Sequence, residues 1–323
     1  MKPTLLDRGI PSSRILLGSF LGCLLSMAAG AQPVAEIFEL RPGVLVDRGA
    51  GNAFVMAPGG GVDCVRLGDG ALLWRSRLAH KPLALHGPRL LAQVDSSTPA
   101  RLDLAILSAA NGDPLETLTA DLPAEVFGWI DDRLGGTFRA RGRSGADGVL
   151  LAWTSSRQVV QGMPTDLAAA QPRVREGAFA VDLSAATVAA VAPPPRLLEE
   201  RRPLLEAGRR LAGLPPGRQF LSADGRHVSV SDRIADGSAW NEYRWRIYSL
   251  DGQRLGDLET FTSYSPFFVY GSTLILESRP FARRIAGEMR EEPWKLRAVA
   301  LSNGIEQWQL EFRDTTYPGP YPP

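Results

Sequence analysis

Cysteine and histidine are almost missing from this chain: of 323 residues, 2 are cysteine and 3 are histidine. Cys23 and Cys64 cannot build a disulfide framework, and His80, His86 and His227 include no pair at zinc-ligand spacing. A surplus of one charge is also missing. The 36 basic and 35 acidic residues leave a net charge of +1, which removes the electrostatic reason to expect nucleic acid or an anionic membrane as partner. No apolar run after residue 31 is long enough to span a bilayer. No Gly-x-Ser-x-Gly elbow is present. Gly59-Gly60-Gly61 and Gly135-Gly136 are followed by neither a helix nor a lysine, so they are turns rather than phosphate loops. Asp131-Asp132 reads as a backbone-capping pair in a turn, ahead of a pair of acid–base carboxylates for sugar cleavage. The sequence therefore nominates no catalytic, cofactor-binding or metal residue.

What is abundant is glycine, 33 residues, and proline, 25, in a chain that is 44% hydrophobic. That composition suits many short strands joined by many turns around a sizeable core. The N-terminus differs from the rest. Lys2, Arg8 and Arg14 precede an apolar run from Ile15 to Ala29, then Ala29-Gly30-Ala31 before Gln32-Pro33. A basic start, a short apolar segment and an A-x-A site describe a secretory signal peptide, residues 1–31. A competing reading lipidates Cys23 through Phe20-Leu21-Gly22-Cys23. Phe20 fits a lipobox poorly, and the residues after Cys23 are apolar rather than a polar tether. With the signal removed, Cys64 is the one remaining thiol, read as a small buried apolar residue.

The remainder, 32–313, is organised by a recurring unit that is clearest at 294–313, WKLRAVALSNGIEQWQLEFR. Two runs of period two flank Ser302-Asn303-Gly304, residues that accept the positive φ of a tight hairpin. The same strand–turn–strand order recurs at Val62–Arg75, around Gly68-Asp69-Gly70, and at Leu102–Leu122, around Asn111-Gly112-Asp113. It recurs again at Phe179–Val191, around Ser184-Ala185-Ala186, and at Trp245–Phe261, around Asp251-Gly252. Further hairpins precede these units: Leu83–Val94, Phe220–Ser231 and Phe267–Leu276. Two hairpins per unit give the four strands of one propeller blade.

GDGALLWR at 68–75 and SNGIEQWQ at 302–309 resemble the quinoprotein-type, or PQQ-like, β-propeller repeat, in which a Gly-containing turn leads to an outer strand carrying Trp. SADGRHVSVSD at 222–232 resembles the Asp-Gly hairpins of other propeller families. The resemblance implies an all-β propeller of four-stranded blades, with about five units recognisable and up to seven possible. The enzymes of the family use adjacent cysteines, calcium and a catalytic Asp around the quinone. This chain has no adjacent cysteines, so neither the activity nor the cofactor is carried over. The resemblance is to the non-enzymatic branch, which implies an envelope scaffold with another envelope protein as partner. Trp74, Trp129, Trp153, Trp240, Trp245, Trp294 and Trp308 are expected to pack blade against blade rather than to stack a ligand.

One region departs from the pattern. Within 161–216, Leu197, Leu198, Leu204, Leu205 and Leu211 are spaced near seven with arginines between, which predicts a short amphipathic helical insertion interrupted at Pro203. Phe281–Pro293 is expected to be a solvated, mixed-charge hairpin loop. The tail, 314–323, holds four prolines and favours an extended polyproline geometry. The expected function is an exported, periplasmic or extracellular, non-catalytic binding or scaffold propeller. The alternative is a propeller enzyme acting on a carbohydrate or other small substrate at the central channel, to be recognised by carboxylates or histidines converging at its mouth.

Overall fold

Every regular element among the described residues is a β-strand. The structure, a computed structural model, describes residues 36–95, 101–123, 136–146, 148–157, 174–193, 211, 213–234, 242–279, 281–285 and 288–313. All of them fall in one compact unit, Val34–Pro323.

The strands form successive antiparallel meanders. Sheet 1 is β1 (Ile37–Arg41), β2 (Val44–Asp47), β3 (Asn52–Met56), β4 (Val62–Arg66) and β5 (Leu72–Ser76). Sheet 2 is β6 (Lys81–His86), β7 (Arg89–Gln93), β8 (Arg101–Ser108) and β9 (Pro114–Asp121). Sheet 3 is β10 (Gly136–Gly145), β11 (Gly148–Arg157), β12 (Val174–Asp182) and β13 (Thr187–Val191). Sheet 4 is β14 (Arg218–Leu221), β15 (His227–Arg233), β16 (Tyr243–Ser249) and β17 (Arg254–Thr260). Sheet 5 is β18 (Phe267–Tyr270), β19 (Thr273–Ser278), β22 (Lys295–Ala300) and β23 (Glu306–Glu311), with the hairpin β20 (Phe281–Ile285) and β21 (Glu288–Glu292) inserted between its second and third strands.

Two parts of the expected architecture are corrected. The blades are not uniformly four-stranded, because β1 adds a fifth strand to sheet 1. The helical insertion is not seen either: no helix occurs among the described residues. Within 161–216, residues 174–191 belong to β12 and β13, and 213–217 are turn and coil. Gly213 and Gly217 take φ of +89° and +147° on either side of Pro215-Pro216, a run that cannot continue a helix. Leu211, the described end of the predicted helix, instead donates its amide to the Gln219 side chain at 3.1 Å. The other leucines of that pattern, residues 1–35, Asp131-Asp132, Trp129, Trp240 and the tail 314–323 lie outside the described residues.

Four pairs of sheets pack through shared apolar cores. Leu45, Phe54 and Cys64 of sheet 1 meet Leu85, Leu90 and Leu107 of sheet 2. Leu104 and Ile106 of sheet 2 meet Leu151, Trp153 and Phe179 of sheet 3. Trp245 and Ile247 of sheet 4 meet Phe267 and Leu276 of sheet 5. Val46 and Val55 of sheet 1 meet Phe268, Ile275 and Leu296 of sheet 5, so the last sheet docks on the first.

One local device repeats at these joins. In sheets 1, 2, 4 and 5 a bulge interrupts the pairing of the last two strands at the same place. The residue just past it is Trp74, Glu116, Gly256 or Trp308, and in sheets 1, 4 and 5 it meets the neighbouring sheet. Trp74 donates its indole N–H to the Ala109 carbonyl at 3.1 Å and covers Gly112, where a Cβ would lie 2.4 Å from the ring. Trp308 does the same to sheet 1, donating to the Leu67 carbonyl at 3.2 Å and covering Gly70. Sheet 4 has glycine at this place, and the backbones close directly: a Cβ on Gly256 would lie 2.0 Å from the Leu301 carbonyl oxygen. At the join of sheets 2 and 3 the Leu183 carbonyl accepts from the Arg89 guanidinium. Leu67, Ala109, Leu183 and Leu301 each directly follow the next-to-last strand of their sheet. Meander sheets that pack 1 on 2, 2 on 3 and 4 on 5, with the last docked on the first, follow the radial plan of a β-propeller.

Candidate functional site

β1 is why the first strands form a site. A short apolar and charged strand, IFELR, lies at the edge of sheet 1, and the segment around it reaches the other sheets. Phe38 meets Phe268 of sheet 5 edge to face, with ring centroids 5.2 Å apart. Glu39 pairs with Arg141 of sheet 3 at 3.2 Å. Glu36 pairs with Arg226 of sheet 4. Arg48, in the turn after β2, binds Asp224 of sheet 4 at 2.8 Å and also donates to the Val269 carbonyl of sheet 5. β6 of sheet 2 packs against β2 and β3 on one side and β10 on the other. The first strands therefore converge.

The charges at this convergence are predominantly positive. Arg41 and Glu277 form an almost fully buried ion pair at 3.3 Å, and the Arg41 guanidinium lies 3.8 Å from the centre of the Trp294 ring and 5.2 Å from that of Phe312. A buried pair of this kind fixes geometry more than it adds net stability, because desolvation offsets much of the Coulomb gain. Lys81, at the start of β6, donates its ammonium to the Ala140 carbonyl at 2.9 Å. Burial pushes Lys81 down to about 8; Glu39 works in the opposite direction, and Arg141, Arg139 and Arg41 lower it further.

β10 supplies the exposed part of the site. Its even-numbered residues face sheet 2: Ala140 is buried, Ser144 donates to the Leu85 carbonyl, and a Cβ on Gly142 would lie 2.8 Å from Ala84. Alternation puts Arg139, Arg141 and Arg143 on the opposite face, two residues apart. Arg139 and Arg143 are exposed, and Arg141 is held by Glu39. The result is a stripe of three guanidinium groups beside the Lys81 ammonium, with Glu39 as the neighbouring carboxylate. This chemistry suits charge-assisted hydrogen bonds to carboxylate or other oxyanion groups.

The residues weighed from sequence are dispersed. His86 ends β6, and His80 precedes it in an ion pair with Asp95 at 3.1 Å. His227 belongs to sheet 4. Among the described residues no three His, Cys, Asp or Glu side chains converge as a metal-ligand set. Ser222, Asp224 and His227 do share one turn and have the composition of a hydrolytic triad. Their hydrogen bonds are those of a turn. Ser222 Oγ donates to Asp224 at 2.6 Å and accepts from the His227 amide at 2.9 Å, while the buried Nδ1 of His227 has no partner. Burial lowers the His227 imidazole, so it favours the neutral form. No serine–histidine pair poised for proton transfer results. Cys64 is fully buried on β4, and burial, with Asp47 and Asp63 adding to it, pushes its thiol up to about 12. Gly60 and Gly61 form a turn with positive φ, and Gly136 opens β10. Trp74, Trp153, Trp245 and Trp308 pack between or within sheets, as expected.

The arginine stripe was missed in the sequence, although RARGR carries the signal: charges two apart, separated by residues too small to need a core, mark one charged strand face.

No family model matches the chain, and no curated protein matches it. Among solved structures, BamB from Moraxella catarrhalis is 16% identical over 71% of this chain and 67% of that one, with a TM-score of 0.23. Hydrazine synthase from Kuenenia stuttgartiensis is 13% identical over 62% of this chain and 50% of that one, with a TM-score of 0.28. A europium-containing methanol dehydrogenase is 10% identical over 81% of this chain and 67% of that one, with a TM-score of 0.21. Superpositions this loose do not establish a shared architecture, so the radial assignment rests on the sheet order and the repeated joins. No helix among the described residues is long and apolar enough to cross a membrane.

Proposed function

We propose that the chain is an exported, non-catalytic binding or scaffold propeller of the cell envelope. It holds an acidic segment of another envelope protein at the convergence of its first strands. The observation that carries this reading is the stripe Arg139, Arg141 and Arg143 on β10, two of whose guanidinium groups are exposed to solvent. The near-neutral balance of the whole chain does not oppose it, because attraction depends on the local field rather than on the net charge.

A second feature supports a protein partner. An exposed large apolar residue lies on or beside the turn between the last two strands of four sheets: Leu72 on β5, Leu115 on β9, Leu250 after β16 and Ile305 before β23. These side chains occupy different register positions, but each lies on or beside the same turn of its sheet. Isolated apolar exposure is ordinary, whereas one such residue near the last turn of four sheets offers a protein surface several anchors. The export part of the reading rests on the basic start, short apolar run and A-x-A site of residues 1–31.

The test is a pull-down from envelope extract with the wild-type chain and with Arg139→Ala/Arg143→Ala. Capture of a protein that is lost in the variant and in high salt supports the reading. Turnover of a sugar library by a chain that captures no protein would reverse it in favour of the channel enzyme.

A further inference from the structure

The outer strands of the sheets are edges, and an edge strand displays unpaired backbone groups to any chain that can pair with them. Four of the five outer strands are blunted. β5, β9, β17 and β23 each begin at the bulge described above. Each also carries charge: Arg75 on β5, Glu116 and Asp121 on β9, Arg254, Asp257 and Glu259 on β17, and Glu306 and Glu311 on β23. β9 additionally begins with Pro114.

β13 has none of these protections. Its sequence is Thr187-Val188-Ala189-Ala190-Val191, with no charge and no proline. It pairs with β12 through five consecutive positions without a register shift, which leaves a straight, regular edge. Four of its five residues are exposed, and only Val188 is partly covered. Residues 187, 189 and 191 share the face turned away from sheet 2, and Ala180, the neighbour of Ala189 across the sheet, is exposed as well. Small side chains on the edge and beside it allow a second strand to approach without steric cost.

We propose that β13 pairs antiparallel with β13 of a second copy of this chain, joining two sheets 3 across a twofold axis at Ala189. Symmetry favours this occupant. In that register Thr187 faces Val191, Val188 faces Ala190, and Ala189 faces itself, so the smallest side chain lies where the copies come closest. No like charges meet, whereas every other outer strand would oppose charges of its own sign in some of its self-pairings. The pairing is independent of the arginine stripe, which lies on the first strand of sheet 3, three strands away.

Sedimentation velocity and light scattering on the purified chain, over a concentration series, test this. The wild type is expected to move from one to two copies with rising concentration. Ala189→Lys places two ammonium groups opposite each other and should weaken the dimer by at least about tenfold. Mixing Ala189→Lys with Ala189→Glu should restore a dimer that neither forms alone. A melting curve confirms folding of each variant, and Val191→Lys replaces Ala189→Lys if that one does not fold. A chain that stays single at all concentrations overturns the proposal, as does a dimer that Ala189→Lys leaves unchanged. A dimer not restored by the mixture also overturns the twofold register.

Discussion

The indole N–H of Trp308 is bonded to the carbonyl of Leu67, 241 positions earlier in the chain. It uses the contact by which Trp74 binds Ala109, 35 positions later. The join between the last sheet and the first is thus chemically the same as the join between the first and the second. Replacing Trp308 by Phe keeps most of the ring and removes the donor, leaving the carbonyl of fully buried Leu67 unpaired. The expected loss is about 1–2 kcal/mol in urea unfolding, and Trp308→Ala should cost about 3–5 kcal/mol. Trp74→Phe should behave like Trp308→Phe, since the two joins match.

Gly70 and Gly225 have nearly the same backbone, φ of +71° and +72°, but different surroundings. A Cβ on Gly70 would lie 2.8 Å from the Trp308 ring, whereas one on Gly225 meets nothing within 4 Å. Gly225→Ala should cost only the conformational strain, about 1 kcal/mol. Gly70→Ala should add a steric cost of about 1–3 kcal/mol by displacing the indole. Equal losses in equilibrium unfolding would show that the indole does not lie there.

Lys81 gives the fold a particular pH dependence. Its folded value of about 8 lies below the ordinary lysine value. Between those two values the unfolded chain binds the extra proton, so stability rises with pH across that window. Below about 8 the penalty of burying the charge is fully present, and above the ordinary lysine range it is gone. Lys81→Met lacks this dependence. The difference in melting temperature between variant and wild type should therefore be constant up to about pH 8 and then shift in favour of wild type up to about pH 10.5. A flat difference across that range would place the ammonium in water.

Cys64 should be inert. Its thiol, pushed up to about 12 by burial, stays protonated at neutral pH, and the thiolate is the reactive form. Alkylation of the native chain at Cys64 should follow unfolding, accelerating when urea is added to the midpoint. Rapid labelling in the absence of denaturant would contradict the packing of β4.

Much of this was legible in the sequence. The turn-centred units at 62–75, 102–122, 179–191, 245–261 and 294–313 all became the last two strands of their sheets, because period-two apolar patterns and positive-φ turn residues are local signals. Ala186 replaces glycine in the weakest unit and takes φ of +53° itself. What stayed hidden was set by distant neighbours. IFELR reads as one more strand, and nothing local says that Glu36, Phe38 and Glu39 will each meet a different sheet. β10 was passed over because Ala140, Gly142 and Ser144 are small: sheet 2 lies so close that larger residues would not fit. The leucine spacing near seven suggested a helix that Pro and Gly override at its described end. Gly256 shows the reverse problem, since it stands where two other sheets have Trp, and only the facing Leu301 carbonyl explains it.

The convergence of the first strands, and with it the arginine stripe, depends on sheet 5 closing onto sheet 1. Hydrogen–deuterium exchange of the wild type against Trp308→Ala tests that closure most directly. The predicted result is faster exchange in two places: in β22 and β23, and also at residues 66–71 of sheet 1, far away in sequence. Faster exchange confined to residues 295–313, with sheet 1 unchanged, would contradict the closed arrangement.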